Sequence, residues 1–427
     1  MRKKKSKEQR KKKEQRKKKE QRKKEKAKMK MAMEMILHPR PSAIVAALYT
    51  LRDLDAGVAV LHGPAGCSFK HSRLLEEDGM HVLTTAMNES NFVFGGHDSL
   101  VEVLRKAEEM FHPELIGVVG TCASMIIGED LQQAVEESGV DSGSGVAGTG
   151  TAAGKRCKVV AVNVHAGYRD NTVGVILTLE AAYKAGVISG SEFERQKKML
   201  EAATRLEKEV GAACRSYIPP SKGDSKIAVA SRLLELVGAG KRGVCVLNAK
   251  KETAFMFADI LRAVNKVAAS TPSRIVNIAN LDKNVGLKRI RGYAARILDE
   301  LAADGVKIEH TIGGLDEYVV AGERAAALIH DSYRDYDFAV LLGIPHAVPL
   351  SGGGVEGEEK KIEIFSVTNG PRTIDPLRWL GHDHAVLEID LHPKTMGATG
   401  IIPSEFGDAL LRLGQLQGLE QLQGQLQ

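Results

Sequence analysis

Two rhythms of apolar and polar positions alternate along most of this chain. Short continuous apolar runs at 58–61 (VAVL), 115–119 (LIGVV) and 158–164 (KVVAVNV) have the length of buried strands. Stretches between them carry apolar residues at helical spacing. Residues 42–54 place Ile44, Val45, Leu48 and Leu51 on one face, with Ser42 as an N-cap. Residues 81–87 read as a further strand, 88–91 as a polar turn, 99–111 as an amphipathic helix and 130–137 as a helix. The turn HAGYRDN at 165–171 opens another helix, and 191–217 is a long, highly charged helix that packs on one side. Paired prolines in IPPSKGDSK, 218–226, mark a boundary. Beyond it, strands at 243–248, 274–281, 307–312, 338–342, 362–367 and 385–391 alternate with helices at 252–267, 286–303 and 323–333. This rhythm predicts an α/β protein of Rossmann-like parallel-sheet domains, with helices on both sheet faces.

The predicted organisation has four parts. A basic low-complexity tail, 1–34, precedes an N-terminal α/β domain, 35–220. A C-terminal α/β region, 221–413, is expected to form two Rossmann-like subdomains, and a Gln/Leu-rich tail, 414–427, is expected to be disordered. The chain holds 60 Lys+Arg against 54 Asp+Glu, but residues 1–30 alone hold 19 Lys+Arg and four Glu, leaving 41 basic against 50 acidic residues elsewhere. The body is therefore acidic and only the tail is basic. The tail repeats KEQRKK three times, with each Glu four residues before a Lys and no apolar face to dock. No aromatic residues interleave it to stack on bases, so a solvated, disordered tail is expected rather than a nucleic-acid partner. No apolar run approaches the roughly 18 residues of a membrane span, which predicts no membrane partner. Five scattered cysteines do not form a secreted disulfide framework, and the expected location is the cytoplasm.

Candidate chemistry gathers at two strand ends. The run at 58–61 breaks into HGPAGCSFKH, where Gly63, Pro64 and Gly66 form a sharp turn before Cys67. The run at 115–119 ends at Gly120, Cys122 follows, and Gly128, Glu129 and Asp130 open a helix. Two cysteines just past parallel strands point to one site, since α/β proteins bind ligands at those ends. Two buried structural thiols are the alternative. Cys157, Cys214 and Cys245 read as structural. Gly143, Gly145 and Gly148 fit G-x-G-x-x-G but precede a strand, a chance match. A near-miss to a P-loop ends at Gly154 and Lys155, with Thr149 in place of the first glycine and Arg156 in place of the Ser or Thr, so this chain is not expected to bind ATP. His382 and His384 flank Asp383 in GHDH, which reads as a solvated loop rather than a zinc site.

GPAGC at 63–67, NFVFGGHDSLVEVL at 91–104 and VVGTCASMIIGED at 118–130 resemble the nitrogenase component 1 superfamily. HAGYRDN falls where that family carries a glycine-aromatic-arginine loop. HPRPSAIVAALYTLRDLD, LHGPAGCSFKHSRLLEEDG and LEIDLHPKTMG are similar to stretches of its nickel-tetrapyrrole reductive cyclases from methanogenic archaea. The likeness covers 37–413. It departs from the larger nitrogenase subunits in having no cysteine before Cys67, and in the aliphatic TVGVILTLEAA at 172–182. Those departures argue against an eight-iron cluster and an iron–molybdenum cofactor. The resemblance implies a [4Fe–4S] cluster held by Cys67 and Cys122 from each half of a homodimer. Backbone N–H groups of the glycine turn and of the helix opening near Gly128 are expected to stabilise it. The resemblance also implies a separate P-loop iron–sulfur reductase that alone uses ATP. The substrate it implies is a nickel tetrapyrrole in a cleft between domains, reduced by six electrons with γ-lactam closure to a precursor of coenzyme F-430. His71, His97 and His165 are candidate proton donors, and Arg169 is a candidate partner for a substrate carboxylate. Two alternatives stand beside this reading: another tetrapyrrole reductase subunit, or a non-catalytic scaffold for metallocluster assembly.

Overall fold

The computed structural model describes residues 41–141, 157–168, 171–209, 218–350, 362–388 and 392–425. The basic tail, both rejected nucleotide motifs, Arg169 and Cys214 lie outside these residues.

The chain begins with α1 (Ala43–Asp53), capped by Ser42, whose Oγ accepts from Val45 N at 3.4 Å. Then come β1 (Val58–His62), α2 (Phe69–Glu77), β2 (His81–Thr84), α3 (Glu89–Phe94), α4 (His97–Phe111) and β3 (Leu115–Gly120). They are followed by α5 (Cys122–Ile126), α6 (Leu131–Ser138), β4 (Lys158–Val162), α7 (Thr172–Lys184) and α8 (Gly190–Glu209). The strands of this half pair in parallel in the order β2-β1-β3-β4.

The second half runs α9 (Lys226–Gly238), β5 (Arg242–Asn248), α10 (Ala254–Ala268), β6 (Arg274–Ala279), α11 (Lys288–Ala303), β7 (His310–Thr311) and α12 (Tyr318–Ser332). It continues through β8 (Phe338–Gly343), β9 (Glu363–Thr368), α13 (Ile374–Trp379), β10 (His384–Leu387), α14 (His392–Thr395) and α15 (Glu405–Gln425). Short 3₁₀ turns, Lys251–Thr253 and Pro345–Ala347, follow β5 and β8. Here the parallel order is β10-β9-β8-β5-β6-β7. The sheet starts at its centre with β5, runs outward through β6 and β7, then crosses back to β8, β9 and β10. β1 and β8 are buried along their whole length, and β5 at every residue after Arg242, as expected of strands covered on both faces.

The α/β class and parallel pairing agree with the sequence reading, while several details differ. All six strands after Ile218 join one sheet, not two subdomains, because β5 and β8 pair directly over six residues. The strand expected at 307–312 shrinks to two residues at the sheet edge, where His310 and Thr311 pair with Ile278 and Ala279. The polar turn at 88–91 is the capped start of α3, with Asn88 Oδ1 accepting from Ser90 N at 3.0 Å. The expected disordered tail instead continues α15 to Gln425. Its Leu and Gln residues are good helix formers, and the helix is anchored upstream by buried Phe406 and Leu410.

One apolar core spans both sheets: Leu48 and Leu51 of α1, Phe255 of α10, Ile290 and Ile297 of α11 and Phe406 of α15 share it. Within it lies the fully buried Arg52 guanidinium. It contacts Asp53 at 2.7 Å and Asp78 at 3.5 Å from the first half, and Glu252 at 2.9 Å from the second. Lys251 pairs with Asp53, and Arg289 of α11 reaches Asp78 at 2.8 Å. Burial alone pushes the Asp53 carboxyl up, but Lys251 and Arg52 outweigh it and hold the group below the ordinary carboxylate range.

Arg52→Ala removes the central cation from a buried network of three carboxylates and is expected to cost about 3–5 kcal/mol, read as a large fall in the thermal midpoint. Arg232→Ala, which breaks the exposed pair with Glu363, is the control and should barely move it. Because Asp53 has a depressed pKa, its share of stability is present at neutral pH. It should fade only as the pH falls below about 4, the unfolded carboxylate value.

Candidate functional site

β1 and β3 lie side by side, so the two cysteine turns emerge at one sheet edge. In the order β2-β1-β3-β4 this is where the chain reverses direction across the sheet, the place where open α/β sheets bind ligands. At the end of β1, Gly63 packs against β3's continuation: a Cβ there would sit 2.3 Å from Thr121 Oγ1. Thr121 Oγ1 donates to His62 O at 2.9 Å, locking the two strand ends together. Gly66 has open space around it, so only the first glycine of the turn answers a close approach. Cys67 N donates to Pro64 O at 3.0 Å, and Cys122 is the first residue of α5.

Cys67 and Cys122 are both half-buried. Burial raises the Cys67 thiol above its ordinary value, and the neighbouring charge of Cys122 raises it further, which puts the pair within electrostatic reach. Ala166 N, from the loop after β4, donates to Cys122 Sγ at 3.3 Å. Cys157 and Cys245 are buried apart from this site; burial pushes Cys157 up to about 12 and Cys245 higher still. Among the described residues, no three His, Cys, Asp or Glu side chains gather in metal-holding geometry. Cys67 and Cys122 are soft thiol donors, the type that iron–sulfur clusters take. The helix opening near Gly128 offers less than expected, because Asp130 Oδ1 already accepts from Gln132 N and Gln133 N.

His62, which the sequence reading passed over, is fully buried beneath this turn. Its Nδ1 pairs with Thr85 Oγ1 at 3.1 Å, and Nε2 lies 3.6 Å from Glu129 Oε2. Glu129 Oε1 in turn accepts from Gly96 N at 2.5 Å. These contacts tie the ends of β1 and β2 to the loops that flank α5 and open α4.

The sequence-predicted histidines fall in three places. His165 stacks on Tyr168 at 4.0 Å, with Nδ1 accepting from Gly167 N at 3.0 Å, in the loop that touches Cys122. His71 of α2 meets the Tyr49 ring edge-on at 6.1 Å and lines a large cavity. His97 is tied to Glu137 of α6 at 2.8 Å and does not line that cavity.

The cavity, of about 620 Å³, lies between the two halves. Its floor includes Arg52, Asp53 and Glu252, and its far wall is built from the carboxyl ends of β5, β8 and β9. β5 and β8 are the reversal point of the second sheet, so it too opens a ligand crevice where the strand order switches. His346, on the 3₁₀ turn after β8, is 7% exposed and lines this wall. Its Nε2 faces Glu207 Oε1 of α8 at 3.3 Å. Behind it, His382 is 5% exposed, not solvated as its GHDH setting implied, and its Nδ1 pairs with Ser366 Oγ at 2.6 Å. Burial and the neighbouring His346 pull the His382 imidazole down to about 4.

The sequence profile of the nitrogenase component 1 type oxidoreductases matches residues 42–203. The chain is 53% identical over 377 residues to the Ni-sirohydrochlorin a,c-diamide reductive cyclase complex component CfbD of Methanosarcina acetivorans, covering 88% of this chain and 96% of that one. It is 50% identical over 379 residues to the same component from Methanothermobacter thermautotrophicus, covering 88% and 98%. The chain belongs to the CfbD family of nitrogenase component 1 type oxidoreductases. CfbD of Methanocaldococcus jannaschii is 42% identical over 382 residues, covering 88% and 99%. The resemblance stated from GPAGC and VVGTCASMIIGED is thus borne out, and with it the fold class.

If the two thiols share one open site, iodoacetamide should label Cys67 and Cys122 in the metal-free folded protein. Cys157 and Cys245 should resist until the chain unfolds, as read by peptide mass mapping. Rapid labelling of Cys157 would contradict its burial beside β4.

Proposed function

We propose that this chain is the catalytic component of a reductive cyclase that reduces Ni-sirohydrochlorin a,c-diamide by six electrons with γ-lactam closure, yielding a precursor of coenzyme F-430. The observation that carries this reading is the 53% identity to a CfbD component over 96% of that relative's length. The N-terminal α/β domain carries Cys67 and Cys122 as cluster ligands. The donor chemistry fits, since two half-buried thiols follow the adjacent strands β1 and β3 and thiolates are the usual ligands of iron–sulfur clusters. One chain supplies two and a [4Fe–4S] cluster takes four, so the second pair comes from another protomer across a two-fold axis. Phe69 and Ile126, close behind the two cysteines, are 66% and 74% exposed, which suits a face that a second protomer covers. When bound, such a cluster supplies one-electron transfer.

The cavity between the halves takes the nickel tetrapyrrole. Its mixed polar and apolar lining suits a macrocycle with a flat apolar body and a rim of carboxylates and amides. A separate P-loop iron–sulfur reductase brings electrons and consumes ATP, so this chain needs no nucleotide site. Arg169 remains a candidate for a substrate carboxylate and His165 for proton delivery beside Cys122. Among the described residues, no helix is long and apolar enough to cross a membrane.

Purified without oxygen and loaded with iron and sulfide, the protein should hold about two irons per chain, the stoichiometry of one four-iron cluster per dimer. Cys67→Ser and Cys122→Ser should each abolish the iron–sulfur absorbance and the reduction while the fold persists, because a two-fold axis doubles every substitution. Cys157→Ser, Cys214→Ser and Cys245→Ala should keep the cluster. Loss of iron in any of those three would sink the shared two-plus-two arrangement.

A further inference from the structure

We propose that Lys250 anchors a peripheral carboxylate of the macrocycle in the inter-sheet cavity. This rests on the reading that the cavity holds the nickel tetrapyrrole. Lys250 lies two residues past the end of β5, on the cavity wall at the strand-order reversal of the second sheet. It is exposed, so its ammonium is open to a ligand.

Among the charged side chains of the lining, Lys250 stands apart. Arg52 pairs with Asp53 at 2.7 Å and with Glu252 at 2.9 Å, and Lys251 pairs with Asp53. The other two carboxylates of the lining are also taken. Asp316 is held by Arg195 at 2.8 Å, and Glu207 faces His346 Nε2 at 3.3 Å. Lys250 pairs with no carboxylate among the described residues. Its ammonium rests over the Tyr318 ring instead, 5.5 Å from the centroid.

The support beneath this ammonium is fixed. Asn280 is fully buried and clamps the residue before Lys250, with Oδ1 accepting from Ala249 N at 3.1 Å and Nδ2 donating to Ala249 O at 2.8 Å. Lys250 O accepts from Thr253 N at 3.1 Å, which closes the 3₁₀ turn. Tyr318 is 3% exposed at the start of α12, so the ring that carries the lysine stem is held by packing.

An ammonium in a water-filled cavity needs no partner, because water solvates it. That changes when a ligand fills the space and drives the water out, since a desolvated charge is costly unless it is paired. A flat apolar ring with carboxylates on its rim brings the missing counter-charge. The carboxylates of the floor already have their cations, so the incoming group meets one uncompensated positive charge. A neutral ring of the same shape would leave Lys250 desolvated and unpaired. The residue therefore selects for an acidic rim as well as holding it.

The iron-loaded protein, purified without oxygen, is titrated with nickel-sirohydrochlorin a,c-diamide, and binding is read by absorbance. Lys250→Met keeps the stem over Tyr318 and removes the charge. Its Kd should rise about tenfold, the low end for a charge-assisted hydrogen bond, with iron content and thermal midpoint unchanged. Lys250→Arg restores a cation and should bind within about threefold of the parent. With the reductase present, Lys250→Met should raise KM and leave kcat within about threefold, the pattern of a group that holds substrate rather than one that takes part in the chemistry. A Lys250→Met Kd within about twofold of the parent overturns the proposal, and so does an equal loss in Lys250→Arg, which would trace binding to shape and not to charge. If Lys250→Met fails to fold, Lys250→Gln is read in its place. Ala203→Trp, which fills the cavity, tests the underlying reading separately. If it abolishes binding while Lys250→Met leaves binding intact, the cavity reading stands and the anchor alone falls. If binding survives Ala203→Trp undiminished, the cavity is not the site and both fall.

Discussion

A buried guanidinium joins the two halves of this molecule. Arg52 has no solvent exposure, and its partners come from three separate stretches: Asp53 on its own helix, Asp78 after α2, and Glu252 in the turn after β5. An ion taken out of water is tolerable only when its partners are in place, so the network is satisfied in one relative arrangement of the two sheets and costly in others. Apolar packing alone is less demanding, because α1, α10 and α11 could slide by a fraction of a turn and still bury much the same area. The ionic contacts remove that freedom. They also line the floor of the cavity, where hydrated or ligand-facing surface is easier to maintain than beneath a fully apolar seam.

With the halves fixed, each sheet contributes one strand-order reversal. The first sheet reverses between β1 and β3 and presents thiols; the second reverses between β5 and β8 and presents imidazole, carboxylate and backbone around a cavity. The same topological feature thus serves two chemistries, because a reversal only guarantees a crevice and the side chains decide its use. β1 supplies Cys67 from a turn that begins at its last residue, and β8 supplies His346 from a turn of similar length.

Strands and cysteines were legible because their signals are local. An apolar run followed by glycine and cysteine states both the strand and the position of the thiol at its end. Helices with a full apolar face, such as α1 and α4, were equally plain. The short helices α2 and α3 were not, since they span only nine and six residues, and α3 has no buried residue and α2 only Leu75. The C-terminal helix was missed because Gln and Leu repeats look like low complexity until upstream packing fixes the register. His346 and His382 were hidden for a different reason. Glu207 is 139 residues from His346 in sequence, and nothing local links them. One signal was available: His346 follows a buried strand within a few residues, as Cys67 and Cys122 do.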